Sequence, residues 1–477
     1  MHRHWPVRWA VAIGLATGAF ANAPAIGAQA PQQTELPNLR DQLRPADEGL
    51  TATSAAARAA LVIPAVLSAK AREDRADAAA KRVRSDFLPD TTLRASYLRL
   101  SRISQPPIEL DGVLFDNPFP VVLDNFALRA RISLQATDYF LTILPNYRSA
   151  QRSAIAAEHE TDVERQGAAF RAQQSFYDYV RTGAALLVAK DSVRSLQSNA
   201  DTVEALVHGG ELPRSDFELA QAQLADARVA RLDTEGQLSI AAVRLRRAIH
   251  MPADEPLAIA EDVFSPLSPD VPSTEELLEL AFAQRPEVNA LREAIEAQGY
   301  RVRMARGNQS PKLIATAGAD YVNPNERILP LSPVFKSSWD VGVALAWSPD
   351  GFAASRRQMK EERFGVEQVR QDLEGLRDRI TVEVTEARAT FLAAHASIEA
   401  AGEGVQAARA SYTDRAALLS AGEATTNELL LAESRLRQSQ LTAIDAYINA
   451  RLAYAAVQFV IGRSVPSMVS AEAGNPP

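Results

Sequence analysis

Side chains that could carry out catalysis or bind a metal are few in this sequence and form no recognisable constellation. There is no cysteine, and the spacings typical of zinc proteases (HExxH), serine hydrolases (GxSxG) and phosphate-binding loops (GxxxxGK[ST]) do not occur. Outside the first 21 residues, histidine occurs at four scattered positions: His159, His208, His250 and His395. The carboxylates Glu160, Asp162 and Glu164 are typical of the solvated face of a helix. We therefore expect no enzyme, no metal site and no cofactor.

The N-terminus has the organisation of a secretory signal peptide. The basic segment MHRHWPVR precedes the apolar run WAVAIGLATGAFA, and small residues follow. Cleavage is expected after Ala21 and could be as late as Ala28. Cleavage after Ala21 removes Arg3 and Arg8 and no acidic residue, so the net charge changes from −8 to −10.

Composition excludes further classes of protein. An acidic chain is not expected to bind nucleic acid, because that function needs a basic surface. The lack of cysteine excludes disulfides and a lipid-modified N-terminal cysteine, so the protein is not expected to be a lipoprotein. No later segment reaches the ~18 consecutive apolar residues of a transmembrane helix.

The segment SSWDVGVALAWSPD, residues 337–350, alternates apolar residues with small or polar ones, which predicts a strand at 338–348. Its two tryptophans are about 26 Å apart along a strand, or about 20 Å along a membrane normal when the strand is tilted. Tryptophan favours both rims of a membrane. A predicted strand at 126–135 repeats the pattern, with two arginines on its polar face. For one strand alone, a soluble hairpin with buried tryptophans remains an alternative.

These two strands predict a face toward lipid and a face toward a water-filled lumen. The lipid-facing residues are Trp339, Val341, Val343, Leu345, Trp347, Phe126, Leu128, Ile132 and Leu134. The lumen-facing residues are Arg129, Arg131 and Asp340.

The chain contains two similar halves. LVHGGELPRSDFELAQAQLADAR from Leu206 aligns without a gap with LLSAGEATTNELLLAESRLRQSQ from Leu418, at a separation of 212 residues. Each half reads as helices, two strands, one very long helix and a return helix. We predict repeats at 54–250 and 273–462, an N-terminal extended segment at 22–53, a linker at 251–272 and a tail at 463–477. The four strands are expected at about 91–98, 126–135, 312–322 and 338–348.

The very long helices, at about 144–207 and 354–420, have the pattern of coiled coils. In the second, apolar residues from Val366 to Tyr412 recur about every 3.5 residues, the heptad value. The predicted fold is mainly α with a small β part, in which four antiparallel strands per chain accompany a long coiled-coil barrel. Four strands cannot close on themselves, and open edges are not tolerated in lipid. A homotrimer with a 12-stranded barrel fits best.

Two stretches resemble the TolC family of outer-membrane efflux proteins. One is AFAQRPEVNALREAIEAQGYRVRMARGNQSPKL from Ala281, and the other is LLSAGEATTNELLLAESRLRQSQLTAIDAYINARLAYAAVQFVIG from Leu418. The resemblance extends over essentially the whole mature chain. It implies a trimer with a 12-stranded barrel in the outer-membrane lipid and an α-helical barrel across the periplasm. It also implies a periplasmic adaptor and an inner-membrane pump as partners.

The resemblance assigns sites to the turns between the long helices and their return helices, at about 208–214 and 420–426. Their glycines are expected to end the helices at positive φ, and the turns to dock onto the adaptor. The docking residues are Gly209, Gly210, Glu211, Leu212, Gly422, Glu423 and Ala424. Asp216 and Glu428 are expected either to line the periplasmic aperture or to be helix-end charges favoured by the dipole.

The sequence therefore predicts a passive outer-membrane channel of a tripartite efflux or type I secretion system. The alternative is an envelope coiled-coil scaffold or adhesin without channel activity.

Overall fold

A computed structural model describes residues 49–102, 108–110, 113–115, 122–329 and 331–463. The predicted signal peptide, residues 22–48 of the predicted N-terminal segment and the predicted tail from residue 464 lie outside the described residues. The elements in chain order are α1 Ala52–Val62, α2 Pro64–Arg84, β1 Asp90–Arg99, β2 Ile108–Leu110, β3 Val113–Phe115, β4 Asp124–Gln135, α3 Leu144–His208, α4 Arg214–Ala248, α5 Thr274–Gln284, α6 Pro286–Gly307, β5 Lys312–Asn323, β6 Lys336–Ala346, α7 Pro349–Ser420 and α8 Thr426–Val460. The chain is mainly helical with a small β part, as predicted.

Helix starts follow local sequence signals. Helices α2, α6 and α7 each begin with a proline, which lacks the N–H that would be unpaired at that position. Helices α1, α5 and α8 each begin with a capping box, in which an N-cap hydroxyl accepts a hydrogen bond from the third backbone N–H. The three N-cap residues are Thr51, Ser273 and Thr425.

Short helices meet at two bends, between α1 and α2 and between α5 and α6. At the second bend Arg285 is buried and pairs with Glu287 at 3.2 Å and Glu383 at 2.5 Å, which ties the start of α6 to α7. Among the described residues no single helix is both long and apolar enough to cross a membrane, whereas α1 and Pro64–Phe87, bent by 44°, meet these two criteria as a pair.

The four predicted strands form one antiparallel sheet in the order β1-β4-β5-β6. The strand containing the tryptophans ends earlier than predicted. β5 begins at Lys312, which pairs with Ala346, so Trp347 has no partner residue in β5 and lies beyond the end of β6. Between β1 and β4 the structure adds β2 and β3, an antiparallel pair that was not predicted from the sequence.

The long helices provide the core. Helix α3 has 65 residues and α7 has 72, which corresponds to about 100 Å for each at ~1.5 Å per residue. Helix α3 packs against α4 and α8, and α7 packs against α8. The predicted heptad stripe of α7 is buried where it meets α5, α6 and α8. Its fully or nearly fully buried members are Leu373, Leu376, Ile380, Val384, Ala387 and Phe391.

The segment at 251–272, predicted to be a linker, contacts the helices. Leu50 and Ile259 form a parallel bridge, and Glu261 accepts hydrogen bonds from Tyr177 Oη at 2.7 Å and Ala52 N–H at 2.8 Å. Arg451 lies 3.6 Å from Glu261. Burial and the neighbouring charge of Glu261 raise the pKa of Tyr177, so its hydroxyl remains a donor.

Candidate functional site: the two sheet faces and the helical turns

One face of the sheet is apolar and exposed. Cross-strand neighbours on this face include Leu128, Tyr321 and Ser337 in one row and Ile132, Ala317 and Val341 in another. The exposed fraction is 74% for Trp339 and 71% for Val343. All nine residues predicted to face lipid share this side of the sheet or its continuation, although Leu134 is only half exposed. A single chain in water would leave this surface uncovered, which marks it for an apolar environment or a partner.

An aromatic cluster lies on the apolar face at the end where β4 begins and β5 ends. The ring centroids of Tyr97 and Phe126 are 4.8 Å apart, those of Phe126 and Phe335 are 6.0 Å apart, and those of Tyr321 and Phe335 are 5.1 Å apart. Trp347 lies beyond the opposite end of the sheet, 6.5 Å from the ring of Phe352. Aromatic residues therefore occur at both ends of the apolar face, as Trp and Tyr do at membrane interfaces. Of the first group only Phe126 was among the residues predicted from the sequence to face lipid.

The other face is charged and internally paired. Arg131 reaches from β4 across β5 to Asp340 on β6, with Nη1 2.8 Å from Oδ1. It crosses at Gly318, where a Cβ atom would lie 2.0 Å from Arg131 Nη1. Arg131 and Arg129 also lie 3.2 Å and 3.9 Å from Asp320. The three residues predicted to face a lumen are therefore neighbours on one face.

A further charged group on this face comes from the connection between β5 and β6. Arg327 Nη2 lies 2.9 Å from Asp340 Oδ1, and Arg327 Nη1 donates to the Trp339 carbonyl at 2.9 Å. Asp340 is thus shared by two guanidinium groups. The sequence analysis missed Arg327, because only the fold of the connection brings it to Asp340.

The two turns between long and return helices have the same geometry. Gly210 has φ +78° and Gly422 has φ +73°, as expected for residues that end a helix in the left-handed region. The N–H of Glu211 donates to Leu206 O at 2.9 Å, and that of Glu423 donates to Leu418 O at 2.8 Å. Both turns are therefore Schellman motifs. Gly209, in contrast, has φ −70° and is an ordinary helix-end residue.

The predicted docking residues differ in exposure. Gly422 and Glu423 are exposed, whereas Leu212 is half-buried and Ala424 is buried. Ala424 packs with Val203 and other apolar residues beneath the turns. Its side chain belongs to the core. Of the three residues predicted to dock at the second turn, only Gly422 and Glu423 therefore lie on its surface.

The two acids after the turns have local partners. Glu428 accepts a hydrogen bond from the Thr425 N–H at 3.1 Å in the capping box and lies 3.4 Å from Arg415 of α7. Asp216 accepts a hydrogen bond from Thr426 Oγ1 at 3.0 Å, which links the two turns. This geometry is the one expected for helix-end carboxylates. The aperture role of both residues stays a prediction.

A buried carboxyl that sequence reasoning did not identify lies between α3, α4 and α8. Glu433 accepts a hydrogen bond from Ser192 Oγ at 2.5 Å and lines a cavity of about 500 Å³. Burial raises the pKa of Glu433, and the hydrogen bond from Ser192 opposes this shift. Within the described residues no group of three or more histidine, aspartate or glutamate side chains is placed to hold a metal ion.

Comparison with known proteins points to one family. The family model described as outer membrane efflux protein matches residues 55–249, from α1 through α4. The outer membrane efflux protein BepC of Brucella suis is 22% identical over 323 residues, which cover 67% of this chain and 68% of BepC.

Solved structures of outer-membrane channels share the fold of nearly the whole chain. The CmeC outer membrane channel of Campylobacter jejuni matches with a TM-score of 0.74 at 14% identity, over 89% of this chain and 90% of CmeC. The outer membrane protein VceC of Vibrio cholerae matches with a TM-score of 0.71 at 17% identity, over 86% of this chain and 96% of VceC. The resemblance to the TolC family of outer-membrane efflux proteins is confirmed.

Proposed function

We propose that the protein forms a passive trimeric duct in the outer membrane, through which solutes delivered by an inner-membrane pump leave the cell. The observation that carries this proposal is the four-stranded sheet. It exposes an apolar face, carries charges on the other face and leaves the edges β1 and β6 without a partner strand among the described residues. Open edges are not tolerated in lipid, so further copies of the chain must close the sheet.

The strand directions allow closure by identical copies. Because successive strands in the order β1-β4-β5-β6 are antiparallel, β6 of one copy and β1 of the next would also be antiparallel. Three copies would give 12 strands, and a barrel of that size leaves a lumen, whereas about eight strands are filled by side chains.

The helices support the same assembly through two equivalent surfaces. At the separation of 212 residues found in the sequence, α4 corresponds to α8. On α8 the apolar stripe packs into the core against α3, and its members are Leu441, Ile444, Ile448 and Leu452. The corresponding α4 residues are Val229, Leu232, Gly236 and Ile240, and all four are exposed.

The surface that would cover the α4 stripe is also open. On α3 the residues that pack near α8 include Val180, Ala184 and Val188, which are buried. Their counterparts on α7 at the same separation are Leu392, Ala396 and Ala400, which are exposed. Helix α4 of one copy would therefore pack on α7 of the next as α8 packs on α3 within one chain. Small residues on α7 allow close approach of the larger residues on α4.

The helical turns are the proposed docking surface for a periplasmic adaptor, which the family resemblance implies as a partner. They lie about 100 Å from the sheet along α3 and α7. In the assembled duct Asp216 and Glu428 would lie near the opening at this end, where they are proposed to surround the periplasmic aperture.

Gly422→Val is expected to abolish adaptor capture and export without affecting assembly. Valine at φ +73° costs about 1–3 kcal/mol and would distort the turn, whereas nothing within 4 Å of a Cβ there would disturb the packing. Co-purification with the adaptor and export by intact cells measure the effect. The matched control is Gly375→Val, because Gly375 is exposed within α7 and its Cβ would also meet no atom within 4 Å. Normal adaptor capture by an assembled Gly422→Val trimer would refute the docking role.

Two measurements test the proposed function: the mass of the purified protein and the ionic current that it carries. The mature protein, purified in mild detergent, is expected to have the mass of three chains by multi-angle light scattering and to conduct ions in a planar bilayer. A stable monomer would contradict closure of the sheet by further copies. A trimer that fractionates with the envelope but carries no current would instead favour the coiled-coil scaffold.

A further inference from the structure

The charged face of the sheet carries a surplus of arginine. Four arginines, Arg94, Arg129, Arg131 and Arg327, share two rows of this face with two acids, Asp320 and Asp340. Each chain therefore has two uncompensated positive charges in this region. This excess of positive charge per chain stays the same whichever arginine pairs with whichever acid. It also stays the same if β1 of one copy pairs with β6 of the next. It contrasts with the chain as a whole, whose net charge is −8.

Two of the arginines are direct cross-strand neighbours. Arg94 on β1 lies opposite Arg129 on β4 in the antiparallel register. Like charges at such positions are destabilising, because their Cβ atoms are only about 5 Å apart. Arg129 shares Asp320 with Arg131, and Arg94 makes no hydrogen bond or ion pair with another described residue. An anion between the two guanidinium groups would remove this repulsion.

Of the two acids only Asp320 lies beneath the guanidinium groups, since the Asp340 side chain is 36% exposed. Asp320 is 11% exposed beneath the guanidinium groups, whereas Arg129 and Arg131 are 45% and 43% exposed. On these two rows a solute would therefore meet four accessible guanidinium groups and one accessible carboxylate, that of Asp340. The neighbouring row toward the helical end contains Ser133, Thr316 and Gly342 and, on β1, the exposed carboxylate Asp90.

We propose that Arg94, Arg129, Arg131 and Arg327 form an anion-binding band on the lumen side of the sheet, for solutes that carry phosphate, sulfate or carboxylate groups. Guanidinium groups bind such oxyanions through two parallel hydrogen bonds. Asp320 and Asp340 hold Arg131 across Gly318 and so position the band. This inference rests on the proposed function, because it requires that the charged face line a conducting channel.

The probe is inorganic tripolyphosphate, added on the sheet side of channels reconstituted in a planar bilayer at low salt, where screening is weak. Tripolyphosphate is expected to reduce the wild-type current in a concentration-dependent way. For Arg94→Gln the half-blocking concentration is expected to rise about tenfold, the effect of losing one charge-assisted hydrogen bond. Arg94→Lys keeps the charge without the two-pronged geometry, so its block should be intermediate.

The matched control is Arg99→Gln. It removes the same charge from the same strand, but Arg99 belongs to the opposite face and pairs with Asp124 at 3.3 Å. Its block is expected to equal that of the wild type. The mass of each variant in detergent establishes that it is assembled.

The possible results distinguish a failure of the proposed anion-binding band from a failure of the proposed channel. A wild-type current that tripolyphosphate does not reduce, or equal effects of Arg94→Gln and Arg99→Gln, would overturn the band and leave the channel in place. A wild-type trimer that carries no current would overturn the channel, and the band with it.

Discussion

Val343→Arg is expected to prevent assembly of the protein into the outer membrane, whereas Ala344→Arg is expected to be tolerated. Val343 lies near the middle of the apolar face, is 71% exposed and pairs with Ala315. Arginine at the midplane of the lipid face of a barrel costs about 2–4 kcal/mol, and a trimer would incur that cost three times. Membrane fractionation and heat-modifiable migration in a gel measure assembly.

Ala344→Arg is a stringent control, because it introduces the same side chain one residue away on the opposite face. Ala344 is exposed and pairs with Ile314 on the charged face. A water-filled lumen accommodates an additional arginine at that position. If both variants assemble, or both fail, the assignment of the two faces to lipid and to water is wrong.

The strands and long helices could be predicted because each has a local periodic signal. Alternation with a period of two marks β4 and β6, and a heptad stripe marks α7. The pair β2 and β3 could not be predicted in this way, since each strand has only three residues and lies in a proline-containing segment. The end of β6 could not be predicted from β6 alone. It depends on where β5 begins, which determines whether Trp347 has a partner.

The candidate sites, too, could be predicted only where the signal lies in the local sequence. A glycine at the end of a long helix predicts positive φ, and both Gly210 and Gly422 have it. The burial of Ala424 follows from packing against Val203, a residue more than two hundred positions earlier, and has no local signal. The bridge from Arg131 to Asp340 likewise joins residues 209 positions apart.

The aromatic cluster and the arginine surplus required the strand register. Tyr97, Phe126, Tyr321 and Phe335 share no sequence pattern, and only the pairing of β1, β4 and β5 and the position of Phe335 before β6 bring them together. In the same way, Arg94 and Arg129 become neighbours only through the pairing of β1 with β4. A face that reads as polar in the sequence thus becomes a surface with a defined excess of positive charge.

Ile240→Glu is expected to convert the trimer into monomers. Ile240 is 54% exposed at the C-terminal end of the α4 stripe, whereas its counterpart on α8, Leu452, packs against the core. Covering an isoleucine side chain stabilises an interface by about 1.5–3 kcal/mol, and an unpaired carboxylate in its place adds a desolvation cost of several kcal/mol. A closed trimer contains this contact three times, so the penalty exceeds what a marginally stable assembly tolerates.

Light scattering in mild detergent distinguishes one chain from three and gives a direct measurement of this effect. The control is Gln237→Glu, which adds the same charge to the exposed surface of the same helix beside the stripe. Helix content by circular dichroism should be unchanged in both variants, because neither position lies in the core of a single chain. An Ile240→Glu protein that keeps the mass of three chains would show that the α4 stripe is not covered by α7 of a neighbouring copy. If Ile240→Glu is a monomer and Gln237→Glu is a trimer, the added charge alone does not prevent assembly. The contact between copies would then lie on the α4 stripe.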